Sequence, residues 1–170
     1  MNLRRRAYIG LGANLGDAAE TLDAAVQSLR SLEQSDVVAV SPLYKTAPVE
    51  ASGPDFVNAV VAVDTGLEPY GLLLHLLDLE LMLGRKRRGG ERKNQPRKVD
   101  LDLLLLGDLA FCSTPLTLPH PRMHQRAFVL RPLLDLAPDI ELPRLGRAAD
   151  LLAQIADQRV EPYVRPAAGG

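Results

Sequence analysis

The chain has 170 residues, of which 20 are Lys or Arg and 21 are Asp or Glu, so the formal net charge at pH 7 is −1. This length predicts one domain over residues 1–170, and a composition of 46% hydrophobic and 24% charged residues is that of an ordinary globular domain. The single Cys excludes a disulfide framework and argues against a zinc cage, and the near-neutral total charge argues against a general nucleic-acid binder.

Hydrophobic periodicity in the first half of the chain predicts strands alternating with one helix. The predicted elements are a strand over 6–12, a helix from Asp17 to about residue 30, strands over 36–41 and 56–64, and a long loop over 42–55. The glycine-containing run over 10–16 lacks the spacing of a dinucleotide-binding fingerprint, and we interpret it as a turn.

The second half predicts a second helix, a central strand and a C-terminal extension. The elements are a helix over 69–83, a basic loop over 85–98, a strand over 99–106, an extended connection over 114–122, and helical turns near 124–137 and 147–157. The resulting order, β-α-β-β-α-β plus an extension, predicts an α+β fold of the ferredoxin-like class. In that class helices pack on an antiparallel sheet.

The small net charge conceals an uneven distribution. Residues 85–98 hold eight basic residues and one acid, a local charge of +7, which leaves 12 basic and 20 acidic residues, or −8, elsewhere. The basic residues are Arg85, Lys86, Arg87, Arg88, Arg92, Lys93, Arg97 and Lys98. A dense cationic segment on an acidic body predicts an anionic partner. A basic run can also be a solvated loop or a nuclear-localisation-like patch, but the Gly89-Gly90 and Gln95-Pro96 pairs favour a mobile lid.

Two aspartates begin the predicted central strand. Because residues i and i+2 of a strand share a face, Asp100 and Asp102 project side by side with Cα atoms about 6.5–7 Å apart. We expect Leu104 and Leu106 to continue the same face into the core. A carboxylate pair that follows a cationic segment predicts Mg²⁺ binding together with a polyphosphate. A solvated strand start with two exposed aspartates explains the pair alone equally well.

Two further groups of residues indicate ligand binding less specifically than the aspartate pair does. His120 lies between two prolines and is followed by Arg122 and Arg126, which is compatible with a nucleotide-phosphate role or with a packed surface histidine. The loop over 46–49, together with Phe56 and Asn58, offers the amides and the aromatic face that recognise a planar heterocycle. Core packing explains Phe56 and Asn58 as well.

No targeting segment is predicted. Three arginines at positions 4–6 imitate the start of a signal peptide, but residues 7–17 are too short and too polar for its apolar region. The Leu-rich stretch over 72–83 contains His75, Asp78 and Glu80 and does not predict a membrane span. We therefore expect a cytoplasmic protein without a membrane partner.

Several segments together resemble the 6-hydroxymethyl-7,8-dihydropterin pyrophosphokinase family of folate biosynthesis. They are YIGLGANLGD (8–17), SPLYKTAPV (41–49), GPDFVNAVV (53–61), LELMLGR (79–85), PRKVDLDLLLLG (96–107) and LPHPRMHQRAFVLRPL (118–133). The resemblance implies transfer of pyrophosphate from ATP to the hydroxymethyl oxygen of the dihydropterin, with AMP as the second product. It also implies two Mg²⁺ ions, both held by Asp100 and Asp102.

The resemblance assigns further residues to the two substrates. For ATP and catalysis the family positions match Glu80, Arg85, Arg97, His120 and Arg126, with Arg85 and Arg97 beside the aspartates as catalytic residues. For the pterin they match Thr46, Ala47, Pro48 and Val49 as backbone contacts, Asn58 as the ring-orienting side chain, and Phe56 and Phe128 as the stacking pair.

Two alternatives from other classes stay open from the residues alone. One is an RNA-binding ferredoxin-like module that uses the basic segment, although such modules need aromatic residues on the sheet and only 4% of this chain is aromatic. The other is a regulatory domain that binds a small molecule without turnover. With the enzyme interpretation we expect a monomer that binds ATP and the dihydropterin and no nucleic acid.

Overall fold

The computed structural model describes residues 3–47, 53–85 and 99–166. The main elements are β1 (Arg5–Ala13), α1 (Ala18–Arg30), β2 (Ser35–Val40), β3 (Tyr44–Thr46), β4 (Phe56–Thr65), α2 (Pro69–Arg85), β5 (Asp100–Leu106) and α3 (Ala127–Leu136). Shorter elements are β6 (Phe111–Cys112), β7 (Thr117–Leu118), a 3₁₀ turn (Met123–Gln125), β8 (Glu141–Leu142), β9 (Gly146–Arg147), α4 (Ala148–Ala153) and β10 (Glu161–Pro162).

An antiparallel sheet forms the centre of the fold. Its strand order is β5-β1-β4, and β2 and β3 follow each other along the outer edge of β4. The short strand β10 extends the sheet beyond β3. The predicted α+β ferredoxin-like architecture is confirmed, because the strands and helices occur in the predicted order and the pairings are antiparallel.

Helices cover both faces of this sheet. On one face α1 and α2 bury Leu22, Leu29 and Leu76 against β1 and β4. On the other face α3 buries Leu130 and Leu133 against β4 and β5. Burial on both sides explains why the apolar residues of β5 form a continuous run, whereas a one-sided strand would alternate apolar and polar residues.

One prediction about β5 is wrong. Leu104 continues the face of Asp102, as expected, but Leu106 packs on the opposite face against α1 and α2. The cause is a register shift opposite Tyr8 and Ile9, which leaves Leu104 without a partner in β1. An extra residue in one strand reverses the alternation beyond it.

Two loop predictions also need correction. Residues 44–46, assigned to a long loop, form β3, because they pair with residues 56–58 at the start of β4. Gly10 and Gly12 fall both in the predicted strand over 6–12 and in the run over 10–16 interpreted as a turn, and the structure places them within β1, paired with both neighbouring strands. Only Gly16 of that run has the left-handed backbone of a turn, with φ of 61°.

The C-terminal extension packs on the α3 side of the sheet. Leu142 and Ala148 are fully buried in the same core as Tyr8 and Leu130. The helical turns predicted near 147–157 correspond to α4 and the turns that follow it. Within the described ranges, no helix has the length and apolarity needed to cross a membrane.

Candidate active site

Three adjacent strands build the floor of a cavity. Gly12 of β1 lies between Asn58 of β4 and Asp100 of β5, and Gly10 lies beside Asp102 in the next row. Because the two glycines carry no side chain, the sheet surface between Asn58 and the aspartates stays open. The cavity above it has a volume of about 370 Å³ and is lined by residues of β1, β3, β4, β5 and α3.

No functional role was predicted for Gly10 and Gly12, although their spacing indicates one. Two glycines at positions i and i+2 of a strand remove a stripe of side chains from one face of the sheet. A Cβ atom added at Gly12 would lie 3.1 Å from Oδ1 of Asn58, which is closer than packed side chains normally approach.

We expect Gly12→Ala to raise the KM of the ligand that occupies this cavity by about tenfold, because the new methyl group displaces the Asn58 carboxamide. Steady-state kinetics with each substrate varied in turn measures the effect. Gly71→Ala serves as the control, because a Cβ at this position of α2 meets nothing within 4 Å. An unchanged KM in Gly12→Ala would show that the cavity tolerates the displaced carboxamide.

One end of the cavity carries aromatic and amide groups. Nδ2 of Asn58 donates to Oγ1 of Thr46 at 2.9 Å, and both residues are buried, with 5% and 8% of their surfaces exposed. This bond fixes the orientation of the Asn58 carboxamide. Phe56 and Phe128 are half-buried and line the same cavity. Such a combination binds a flat, polar-edged ring.

The other end opens into a second cavity, called the cationic cavity after Arg122 and Arg126, although the two aspartates balance their charge. It measures about 450 Å³ and shares Asp100, Asp102 and Arg126 with the first cavity. His120 and Arg122 complete its lining together with Pro121. The two aspartates therefore line both cavities, with Phe56 and Phe128 in the first cavity and Arg122 in the second.

The surroundings of His120 in the second cavity favour its neutral form. Its backbone N–H donates to the carbonyl of Leu104 at 2.9 Å, and its Nδ1 accepts from the Arg122 N–H at 3.2 Å. Burial lowers the pKa of His120, and Arg126 and Arg122 lower it further, against the opposing effect of Asp102. A neutral ring whose Nδ1 is an acceptor carries its proton on Nε2, as a hydrogen-bond donor.

Comparison with known proteins decides the family. The family model described as 7,8-dihydro-6-hydroxymethylpterin-pyrophosphokinase matches residues 8–138. The chain belongs to this family. A pyrophosphokinase from Pseudomonas aeruginosa, named for 2-amino-4-hydroxy-6-hydroxymethyldihydropteridine, is 42% identical over 158 residues, which is 92% of this chain and 96% of that protein. A relative of the same name from Methylorubrum extorquens is 45% identical over 136 residues, covering 79% and 84%.

Solved structures agree on the fold. A Plasmodium falciparum HPPK-DHPS structure superimposes with a TM-score of 0.73 at 15% identity, over 92% of this chain. This chain spans 46% of that Plasmodium chain and 44% of another HPPK-DHPS chain. Family membership confirms the predicted reaction, the ATP-dependent transfer of pyrophosphate to 6-hydroxymethyl-7,8-dihydropterin in folate biosynthesis.

In this pyrophosphokinase, Glu80 of α2 contacts the backbone between the two aspartates. Its Oε2 accepts from the Leu101 N–H at 2.6 Å. The carboxylate thereby holds the exposed edge of β5 at the point from which Asp100 and Asp102 project. The structure thus gives Glu80, predicted as an ATP-binding residue, a contact with the strand that carries the carboxylate pair.

We expect Glu80→Ala to lower kcat by about tenfold, because the released Leu101 N–H loosens the start of β5, and to lower the free energy of unfolding by about 1–2 kcal/mol. Glu80→Gln retains an oxygen acceptor for Leu101 and is expected to keep most of the activity. Rapid-quench measurement of AMP formation and denaturant titration test both variants. Equal losses in the two variants would contradict the backbone role and favour a requirement for the negative charge.

The carboxylate pair fits a magnesium site that is completed by a substrate. Asp100 and Asp102 share a face of β5 and line both cavities. Among the described residues, no three His, Cys, Asp or Glu side chains form a group able to hold a metal ion by themselves. Mg²⁺ is commonly bound through one or two carboxylates together with substrate phosphates, so the donor set agrees with this ion.

The described structure brings most of the predicted site residues together. The two cavities collect Thr46, Ala47, Phe56, Asn58, Asp100, Asp102, His120, Arg126 and Phe128. Arg85 ends α2, and its side chain is not described. Pro48, Val49 and Arg97, with the rest of the basic segment, lie outside the described residues.

Proposed function

We propose that this pyrophosphokinase binds the dihydropterin in the first cavity and the ATP phosphates in the second, with the aspartate pair between them. The observation that carries this proposal is the shared boundary, since Asp100, Asp102 and Arg126 line both compartments. A volume of about 370 Å³ lies in the range of small-molecule sites and accommodates a bicyclic ring.

The pterin ring stacks between Phe56 and Phe128 in this proposal. The Asn58 carboxamide, oriented by its bond to Thr46, reads the polar edge of the ring. The backbone over 46–49 supplies the remaining polar contacts, which the family positions of Thr46, Ala47, Pro48 and Val49 suggest. Ring recognition by paired donors and acceptors gives strong discrimination, because a ligand without them leaves buried polar groups unsatisfied.

The cationic compartment receives the nucleotide. Arg126 and neutral His120 donate hydrogen bonds to phosphate or ribose oxygens, and Arg85 and Arg97 bring further guanidinium groups to the transferred phosphates. Guanidinium groups suit this task because they form bidentate bonds with phosphate oxygens. Glu80 serves the nucleotide site by holding the strand that carries the aspartates.

Two Mg²⁺ ions are part of the proposal, and Asp100 and Asp102 would hold both of them. The ions would neutralise the phosphates and align them for displacement. The aspartate pair supports Mg²⁺, because both aspartates offer carboxylate oxygens and the phosphates of ATP would complete the coordination.

In the chemical step the hydroxymethyl oxygen of the dihydropterin forms a bond to the β-phosphorus of ATP, and the bridge between the α- and β-phosphorus breaks. AMP leaves with the bridging oxygen, and the hydroxyl proton passes to a carboxylate of the pair or to water. Stacking of the ring between Phe56 and Phe128 holds the attacking oxygen in place. Positioning and charge stabilisation supply most of the acceleration in transfers of this kind.

Production of AMP in the presence of both substrates tests the proposal. We expect AMP and dihydropterin pyrophosphate to form in a one-to-one ratio from ATP and 6-hydroxymethyl-7,8-dihydropterin. No AMP should form with 7,8-dihydropterin, which lacks the hydroxymethyl group. ADP as the nucleotide product, or AMP formation without an acceptor, would overturn the assignment. A salt-sensitive complex with single-stranded RNA that ATP does not affect would favour the nucleic-acid alternative.

We also propose that the enzyme is a monomeric single domain in the cytoplasm. The C-terminal extension supports one domain, because Leu142 and Ala148 share a core with Tyr8 of the first strand. Light scattering at the concentration of the activity assay tests the oligomeric state.

A further inference from the structure

The C-terminal extension contacts the backbone around Arg126 through the side chain of Gln158. Its Nε2 donates to the Gln125 carbonyl at 2.9 Å, and its Oε1 accepts from the Ala127 N–H at 2.9 Å. These two groups belong to the peptide planes on either side of Arg126. The Gln158 carboxamide therefore pairs with the backbone around Arg126 as a residue of a neighbouring parallel strand would.

This pairing restrains the backbone angles of Arg126 together with the backbone bonds that Arg126 itself makes. Its N–H donates to the Met123 carbonyl at 3.3 Å, and its carbonyl accepts from the Val129 and Leu130 N–H groups, each at 3.0 Å. The orientations of the two flanking peptide planes define φ and ψ of the residue between them, and Arg126 is extended, with φ of −124° and ψ of 108°. Arg126 stands at the junction between the 3₁₀ turn and α3, and its own side chain does not cap the helix. The first N–H of α3 is satisfied instead by Gln158, which comes from 31 residues further along the chain.

Gln158 is itself held in place. Its backbone N–H donates to the Ile155 carbonyl at 3.0 Å, and Ile155 packs against the core on the α3 side. The Gln158 residue is exposed, yet both polar ends of its side chain are engaged with the same short stretch of backbone.

Arg126, the residue whose backbone Gln158 contacts, lies where three cavities meet. Arg126 lines the pterin cavity, the cationic cavity and a third, outer cavity of about 920 Å³. Its guanidinium carbon lies 5.5 Å from the centre of the Phe128 ring. A rotation at the Arg126 backbone would therefore displace the guanidinium from the nucleotide side and alter its contact with the aromatic ring.

We infer that Gln158 is a positioning residue that holds Arg126 in the geometry needed for nucleotide binding and pyrophosphoryl transfer. This inference rests on the proposed function of the two cavities. It assigns a role in catalysis to the C-terminal extension, which lies beyond the segments that identified the family. A helix cap alone would stabilise α3 without acting through Arg126.

Gln158→Met tests the inference, because methionine keeps the length of the side chain and removes both hydrogen bonds. We expect kcat/KM for ATP to fall by about tenfold in this variant, as the Arg126 guanidinium leaves its binding position. In an Arg126→Ala background the same substitution should change kcat/KM by less than about twofold, since the group that it positions is gone. Gln154→Ala, an exposed glutamine of the same segment, is the control and should match the wild type.

Two results would overturn the inference. One is an unchanged kcat/KM in Gln158→Met with a lowered melting temperature, which would leave Gln158 as a helix cap only. The other is an equal loss in the wild-type and Arg126→Ala backgrounds, which would show that it does not act through Arg126.

Calorimetric titration with magnesium and α,β-methylene-ATP, whose bridge cannot be cleaved, repeats the comparison without turnover. Failure of the wild-type chain to form AMP would refute the proposed function. The wild type, Gln158→Met, Arg126→Ala and the double variant would still report, through nucleotide affinity, whether Gln158 acts through Arg126. Weaker binding in Gln158→Met that disappears in the Arg126→Ala background supports positioning, and unchanged binding contradicts it.

Discussion

Asp102→Asn is expected to lower the turnover number for AMP formation by about a thousandfold at saturating substrates, the largest effect of any single substitution considered. Asn has nearly the shape of Asp, so the loss reports the missing charge. Asp102 is half-buried and faces both cavities, at the place where the anionic phosphates meet the acceptor. Single-turnover mixing with a rapid acid quench measures the effect on the chemical step.

The dependence of activity on magnesium distinguishes loss of a carboxylate ligand in Asp102→Asn from a structural effect of the substitution. We expect the concentration of Mg²⁺ that gives half-maximal activity to rise in Asp102→Asn, because one of the two carboxylate ligands is lost. Asp108→Asn is the matched control, since Asp108 is exposed just beyond the other end of β5. Near-normal turnover of Asp102→Asn with an unchanged magnesium requirement would contradict the metal assignment.

The carboxylate pair also shows how far the sequence predicts this site. Asp100-Leu101-Asp102 at the start of an apolar run indicates two carboxylates on one face, and in the structure they do line the same cavities. The inward continuation of that face could not be predicted, because the register shift opposite Tyr8 and Ile9 depends on pairing with β1. Strand alternation is a local rule, and a bulge that reverses it is a property of two strands.

Gly12 illustrates a second limit to what the sequence alone predicts about the site. Its local sequence is equally compatible with a turn, and its functional position follows only from lying between Asn58 and Asp100. Gln158 is a similar case, because a lone glutamine in a polar tail gives no local sign of pairing with the backbone around Arg126. Residues that act through a partner distant in the chain become visible only when the fold brings the two together.

The strand and helix order, in contrast, follows from patterns within each segment. The apolar stripe of α1, with Leu22 and Leu29 on one side, predicts both the helix and its buried face. Asp17 accepts from the Glu20 N–H at 3.0 Å and caps the helix as its position suggests. Such features need no information from the rest of the chain.

Asn58→Leu is expected to raise the KM for the dihydropterin by about a hundredfold and to leave the KM for ATP nearly unchanged. Leucine branches at the same carbon as asparagine but offers no donor or acceptor to the polar edge of the ring. Since Asn58 belongs to β4 and lies across Gly12 from Asp100, its loss affects the pterin compartment and not the cationic one. Initial-rate kinetics with each substrate varied separately distinguishes the two KM values.

Thr46→Val separates recognition by Asn58 from stability in this region. Both substitutions break the Asn58–Thr46 hydrogen bond, and each leaves one buried polar group without its partner, so each is expected to lower the free energy of unfolding by about 1–3 kcal/mol. Thr46→Val retains the Asn58 carboxamide, however, and should raise the KM for the dihydropterin by only about tenfold, through loss of orientation. Equal KM values in the two variants would mean that the carboxamide serves the packing of β3 against β4 and does not read the ring.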